Sequence, residues 1–268
     1  MVNNKFSVFS VLVLGAALFN TVYADNRLVI SPGVMYFDYE ERDENGSFLD
    51  GETGPVLGVR AAVEWRLESN ITGVVFGSIY SGTVDYDGHT QSGTPVQTDT
   101  DANYFTLGVA AKTPIQFGDF KTNINVGYAF KRWERDIQPI GVISGLYEVY
   151  QWEEISLGAD VLLVGPDSRQ WNIYAGVFQT REPNIVINLE ADGDGKPKLF
   201  MGTDTGMQFS AQWMGATKKT RDTGVKLTYK TWKFGRSNSQ PISGNREITE
   251  PKSRTRLIFL ELVMAIPL

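Results

Sequence analysis

Along residues 120–131, Phe120, Thr122, Ile124, Val126, Tyr128 and Phe130 interleave with Lys121, Asn123, Asn125, Gly127, Ala129 and Lys131. Side chains of an extended strand point to opposite faces with a period of two, so this stretch has one largely apolar face and one polar face. A helix would scatter both sets around its circumference. The same alternation runs through Pro55–Glu68, where Leu57, Val59, Ala61, Val63, Trp65 and Leu67 oppose Gly58, Arg60, Ala62, Glu64, Arg66 and Glu68. Ten strand-like stretches are read in all: Leu28–Glu40, Pro55–Glu68, Ile71–Val84, Asn103–Thr113, Phe120–Trp133, Tyr147–Leu163, Arg169–Thr180, Leu199–Met214, Asp222–Phe234 and Thr255–Ile266. No linker, low-complexity tract or helical period interrupts them. The chain is therefore predicted to be all-β.

Alternation alone also suits a secreted soluble barrel with its apolar residues inside. Three regularities point instead to a membrane barrel. The connections alternate in length, long after odd strands and short after even ones, as outer-membrane barrels pair long outer loops with short periplasmic turns. The apolar parity persists for about 9–11 residues, enough for a tilted strand to cross a bilayer. Aromatics also collect at the strand ends: Trp65, Phe120, Trp171 and Trp213 at one end, Tyr80, Phe105 and Phe130 at the other. Two such rows on the apolar face form the interfacial girdles of a membrane barrel. Backbone groups in hydrocarbon must pair internally, so the sheet must close. The expected fold is a transmembrane antiparallel up-and-down β-barrel of about ten strands with both termini periplasmic.

The N-terminus fits that destination. One lysine precedes the apolar run Phe6–Phe19, and Val22-Tyr23-Ala24 puts small residues before a cut at Asp25. This is the layout of a secretory signal peptide over residues 1–24, leaving 25–268 as one barrel domain. With no cysteine and the single histidine His89, the chain offers no disulfide, thiolate site or multi-histidine metal site. A net charge of −6 argues against a nucleic-acid partner.

The leader ending Val22-Tyr23-Ala24, the alternation of Phe120–Phe130 and the apolar final stretch Leu257–Ile266 together resemble bacterial outer-membrane β-barrel proteins over the whole mature chain. The resemblance implies a Gram-negative outer-membrane location, contact with membrane lipid and lipopolysaccharide, delivery by the barrel-assembly machinery and a monomeric state. Many members end in an aromatic residue, whereas this chain ends Ile266-Pro267-Leu268.

The inner parity is expected to collect Arg60, Glu64, Arg66, Lys112, Lys121, Lys131, Glu154, Asp160, Lys226, Lys230 and Glu261. Charges of both signs in so narrow a cylinder must pair with one another or with trapped water. They are read as a network filling an occluded lumen, the alternative being a narrow channel for ions or small polar solutes. Ten strands also resemble the omptin proteases, whose outer-rim site pairs two acidic residues with an Asp-His pair. Asp85 and Asp87 match half of it; the other half is missing, because the single histidine, His89, has no Asp-x-His partner on a later strand, so a hydrolase is the weaker alternative. Asp192 and Asp194, in Asp-Gly-Asp-Gly, are oxygen-rich but lack the ligand run of a calcium loop. Arg132 and Lys233 fall on the outward parity near the outer rim and are candidates for lipopolysaccharide phosphates. No cofactor is expected, and the function read from these residues is non-enzymatic: surface binding, adhesion or envelope structure, with the outer ligand unspecified.

Overall fold

The structure, a computed structural model, describes residues 26–67, 70–90, 93–118, 120–165, 169–215 and 222–268. The expected leader, Glu68 and the side chain of Asp192 lie outside the described residues. Among the described residues thirteen strands follow one another: β1 (Arg27–Arg42), β2 (Phe48–Arg66), β3 (Thr72–His89), β4 (Pro95–Phe117), β5 (Phe120–Ile137), β6 (Leu146–Val164), β7 (Gln170–Asn188), β8 (Lys198–Phe200), β9 (Thr205–Met214), β10 (Asp222–Phe234), β11 (Gln240–Ile242), β12 (Arg246–Ile248) and β13 (Lys252–Pro267). Ten of them, β1–β7, β9, β10 and β13, form one antiparallel ring, closed by β1 against β13 and β6 against β7. The expected all-β ten-stranded barrel is what the chain forms.

The outward face carries an apolar belt. Leu57, Val109, Val126, Leu157, Val177, Leu227 and Leu260 are all exposed, Leu57 at 69% of its surface. Phe105, Phe120, Phe130, Trp65, Trp171 and Trp213 share that outward parity. Trp171 pairs with Trp213, and Val109 lies opposite Tyr128.

Tyr80 corrects the sequence reading. It was expected in the outward girdle; it points inward, 1% exposed, and its Oη donates to Glu261 Oε1 at 2.9 Å. Residues 73–81 (GVVFGSIYS) are apolar or small on both parities, so hydrophobicity cannot choose a face. Register does choose. Val59, Ile79 and Phe105 are successive cross-strand partners and face out; Gly58, Tyr80 and Tyr104 are the next set and face in.

The strands also run further than expected. Residues read as loops at 41–54 and 85–102 are largely paired strand, leaving tight turns at Asp43–Ser47 and Thr90–Thr94. These extensions look loop-like because their outward face is polar (Asp85, Asp87, Asp99, Asp101). Their inward residues Val84, Val96 and Ala102 are nevertheless buried. The stretch Leu199–Met214 divides into β8 and β9, with β8 pairing the far end of β7 beside Asn184–Val186.

Candidate functional site

The barrel interior has two storeys. In the half nearer the chain termini lies a cavity of about 550 Å³ whose walls carry most of the predicted inner charges. Arg60, Glu64, Lys112, Lys131, Glu154, Asp160, Lys226, Lys230 and Glu261 all line it. Arg66 is exposed and lines the mouth with Arg27, Thr72 and Asp222. Lys121 stands exposed at the start of β5, outside the cavity wall.

The charges form small, separate groups. Glu64 accepts from Lys112 Nζ at 2.8 Å and Arg27 Nε at 2.6 Å. Glu154 accepts from Lys230 Nζ at 2.5 Å and Trp152 Nε1 at 3.2 Å, with Lys131 Nζ at 3.7 Å. Lys131 also donates to Thr106 Oγ1 at 3.0 Å, and Lys230 sits 4.1 Å from the centre of the Phe178 ring. Asp160 is held by three neutral amides, Asn123 and Asn125 at 2.8 Å and Asn172 at 2.9 Å. Each carboxylate thus has the partners that low-dielectric burial demands.

Above the cavity the interior is largely aromatic. Met35, Phe37, Tyr39, Trp133, Tyr150, Trp152, Trp232, Phe234, Leu199 and Leu257 belong to one buried cluster. Around the ring β1 and β6 lie five strands apart, so they face each other across the barrel. The Tyr39 and Tyr150 hydroxyls nevertheless stand 3.1 Å apart, and Trp133 packs on Phe37 and Tyr39 with both centroids at 4.9 Å. Trp152 meets Trp232 at 5.6 Å and Phe234 at 5.3 Å. Side chains thus meet here across the full diameter of the barrel.

Buried in the plug is a charge centre absent from the sequence reading. Arg135, 1% exposed, donates from Nε to Glu52 at 3.0 Å and from Nη1 to Glu148 at 2.8 Å and Glu41 at 3.3 Å. Asp50 stands 3.8 Å away, and Glu250 accepts from the Tyr150 hydroxyl at 2.5 Å. The guanidinium also lies 4.8 Å from the Tyr39 ring centre and 5.2 Å from that of Trp133. One cation cannot offset five ionised carboxylates away from water. Burial pushes the Glu148 carboxyl up to about 7, against the opposing pull of Arg135. Burial also holds Asp50 and Glu250 well above the usual carboxylate range. These residues escaped the sequence reading because Glu41, Asp50 and Glu52 fall where a loop was expected, and Arg135 lies beyond the predicted end of its strand. The available signal was that alternation continues past Phe130, with Trp133 and Arg135 on the Lys131 parity.

The other candidates lie elsewhere. Asp85, Asp87 and His89 share the outward parity of β3, exposed on the outer wall, and His89 Nδ1 contacts the Leu49 carbonyl at 3.2 Å. They are not brought together with an inward-facing set, because a two-residue spacing on a strand keeps all three on the face that Ile79 occupies. Asp194 accepts from Arg246 Nη2 at 2.6 Å and Ser243 N at 2.8 Å, tying the β7–β8 connection to the β11–β12 hairpin. Among the described residues no cluster of three or more His, Cys, Asp or Glu is arranged to hold a metal. Arg132 is engaged by Glu134 at 2.7 Å, whereas Lys233 is exposed beside its cross-strand partner Arg254.

No protein-family model and no curated protein matches the chain. Its fold is similar to the outer membrane protease OmpT of Escherichia coli, at 12% identity over 93% of this chain and 99% of that one, with a TM-score of 0.58. Looser matches include the transport unit of the autotransporter AIDA-I of Escherichia coli (8% identity, 97% of each chain, TM-score 0.47). Another is the outer membrane protein OprG of Pseudomonas aeruginosa (12%, covering 92% of this chain and 98% of that one, TM-score 0.41). At these identities the likeness is one of architecture, and the chain has the closed ten-stranded barrel fold found in bacterial outer-membrane proteins.

Proposed function

We propose that this protein is a monomeric, non-conducting barrel of a Gram-negative outer membrane, with a surface-binding or envelope-structural rather than an enzymatic role. Export by the leader and insertion by the barrel-assembly machinery would place both termini in the periplasm and the plugged storey at the cell surface. The contact between Tyr39 and Tyr150 across the barrel carries the non-conducting reading. The apolar belt supports membrane insertion, because an exposed aliphatic band of this extent is costly in water and favourable in lipid. Beyond the belt, Lys233, Arg254 and Arg256 stand on adjacent strands β10 and β13, partly offset by Asp38 and Glu40. Lipopolysaccharide phosphates are their natural counter-ions, with Lys233 the freest and Arg132 occupied by Glu134.

The test is planar-bilayer recording of the purified barrel. No steady unitary current is expected; reproducible conductance steps from the unmodified protein would overturn the reading.

A further inference from the structure

Two cations in the lower cavity are left out of its ion pairs. Arg60 and Lys226 both line the cavity, yet among the described residues neither has a carboxylate oxygen within 4.0 Å. The nearby acids are engaged. Glu64 serves Arg27 and Lys112, Glu154 serves Lys131 and Lys230, and Asp160 is held by asparagine amides. Glu261, the cross-strand partner of Lys226, takes the Tyr80 hydroxyl. The lining as a whole carries six cations (Arg27, Arg60, Lys112, Lys131, Lys226 and Lys230) against five carboxylates (Glu64, Glu154, Asp160, Asp222 and Glu261), so the cavity keeps a net positive charge, with Arg60 and Lys226 its cations outside any ion pair.

Arg60 is also held in position. Its guanidinium lies 5.0 Å from the centre of the Phe76 ring, a contact that holds it against the aromatic face. Ser31 and Ser78 flank it as cross-strand partners, and Gln212 flanks Lys226. A fixed guanidinium, an ammonium and neutral donors around one cavity of about 550 Å³ make a site of small-molecule size. Water satisfies such donors but not their charge; an oxyanion satisfies both.

We propose that the lower cavity binds a small multivalent oxyanion, a phosphate or a carboxylate, between Arg60 and Lys226, entering from the end that bears the chain termini. The aromatic plug closes the other end, which makes the cavity a receptor pocket and not a passage.

Equilibrium dialysis of the full barrel in detergent at low ionic strength, with orthophosphate in one arm and citrate in the other, tests this and separates the two chemistries. Saturable binding of one probe, near one per barrel, is expected. Arg60→Gln and Lys226→Gln should each weaken it at least tenfold, while Lys233→Gln on the outer wall leaves it unchanged. Heat-modifiable gel mobility identifies folded variants. Crystals of the unmodified protein soaked in arsenate give a readout that needs no variant, with an anomalous peak expected between Arg60 and Lys226. Absence of saturable binding of both probes, unchanged affinity in folded Arg60→Gln, or a peak elsewhere would each overturn the proposal.

Discussion

Arg135 holds its charge in a place where a lone guanidinium is very costly, and three carboxylates within 3.3 Å make that burial tolerable. Removing one partner of such a set leaves the others stranded. Arg135→Met should therefore destabilise the barrel by about 3–5 kcal/mol in denaturant unfolding from lipid vesicles. Adding Glu52→Gln should recover part of the loss; recovery of none would mean that the charges are not the cause. Glu148 gives the cluster a pH dependence of definite sign. Its carboxyl rises from an ordinary 4.5 to about 7 in the folded protein, so the folded state binds the proton more tightly than the unfolded chain. Stability from this group is present at low pH and is lost as pH climbs through that window, by about 3 kcal/mol at most. Unfolding midpoints measured at pH 5 and pH 8 should thus differ less in Glu148→Gln than in the parent. An equal difference in both would assign the effect to Asp50 and Glu250.

Among the elements, β3 and β5 mark what sequence could and could not say. In β5 every second residue changes polarity, and both the strand and its faces were legible from Phe120 to Phe130. In β3 valine, phenylalanine, isoleucine and tyrosine occupy both parities. The strand was legible, but its facing depended on pairing with β2 and β4, which local pattern does not contain. The outer extensions were hidden differently: polar residues on their solvent side resemble loop composition, and only burial of Glu41, Glu52 and Val84 reveals a second, inner face. Hence the lower cavity was largely predictable and the charge centre above it was not. Gly58 shows how tightly the β2–β3 pair is set. A Cβ there would clash with the Tyr80 ring and the Ile79 carbonyl oxygen. Gly58→Ala should cost about 1–3 kcal/mol and lower the temperature at which the folded gel band is lost. Adding Tyr80→Ala would relieve only the ring clash, so incomplete rescue is the expected result.

At the scale of the molecule, an aromatic storey stacked on a charged one is what the proposed non-conducting role rests on. Each fully buried ring of the plug contributes about 2–3 kcal/mol through removal from water, so the layer resists flooding. Replacing Trp133, Tyr150 and Trp152 together by alanine should join the cavity to the far end. Conductance steps would then appear in planar bilayers where the parent is silent; silence of a folded triple variant would place the block in the connections capping the barrel. The plug also bears on the order of assembly. Arg135 meets Glu52 and Glu41 across 83 and 94 residues of chain, and Tyr39 meets Tyr150 across 111. Contacts of such long range carry a large closure entropy and cannot form before β1 and β2 have been brought opposite β5 and β6. The belt, built from neighbouring hairpins, has no such requirement. During insertion the tryptophans of the plug should report their burial after the strands have crossed the bilayer, making the Arg135 centre the last latch to engage.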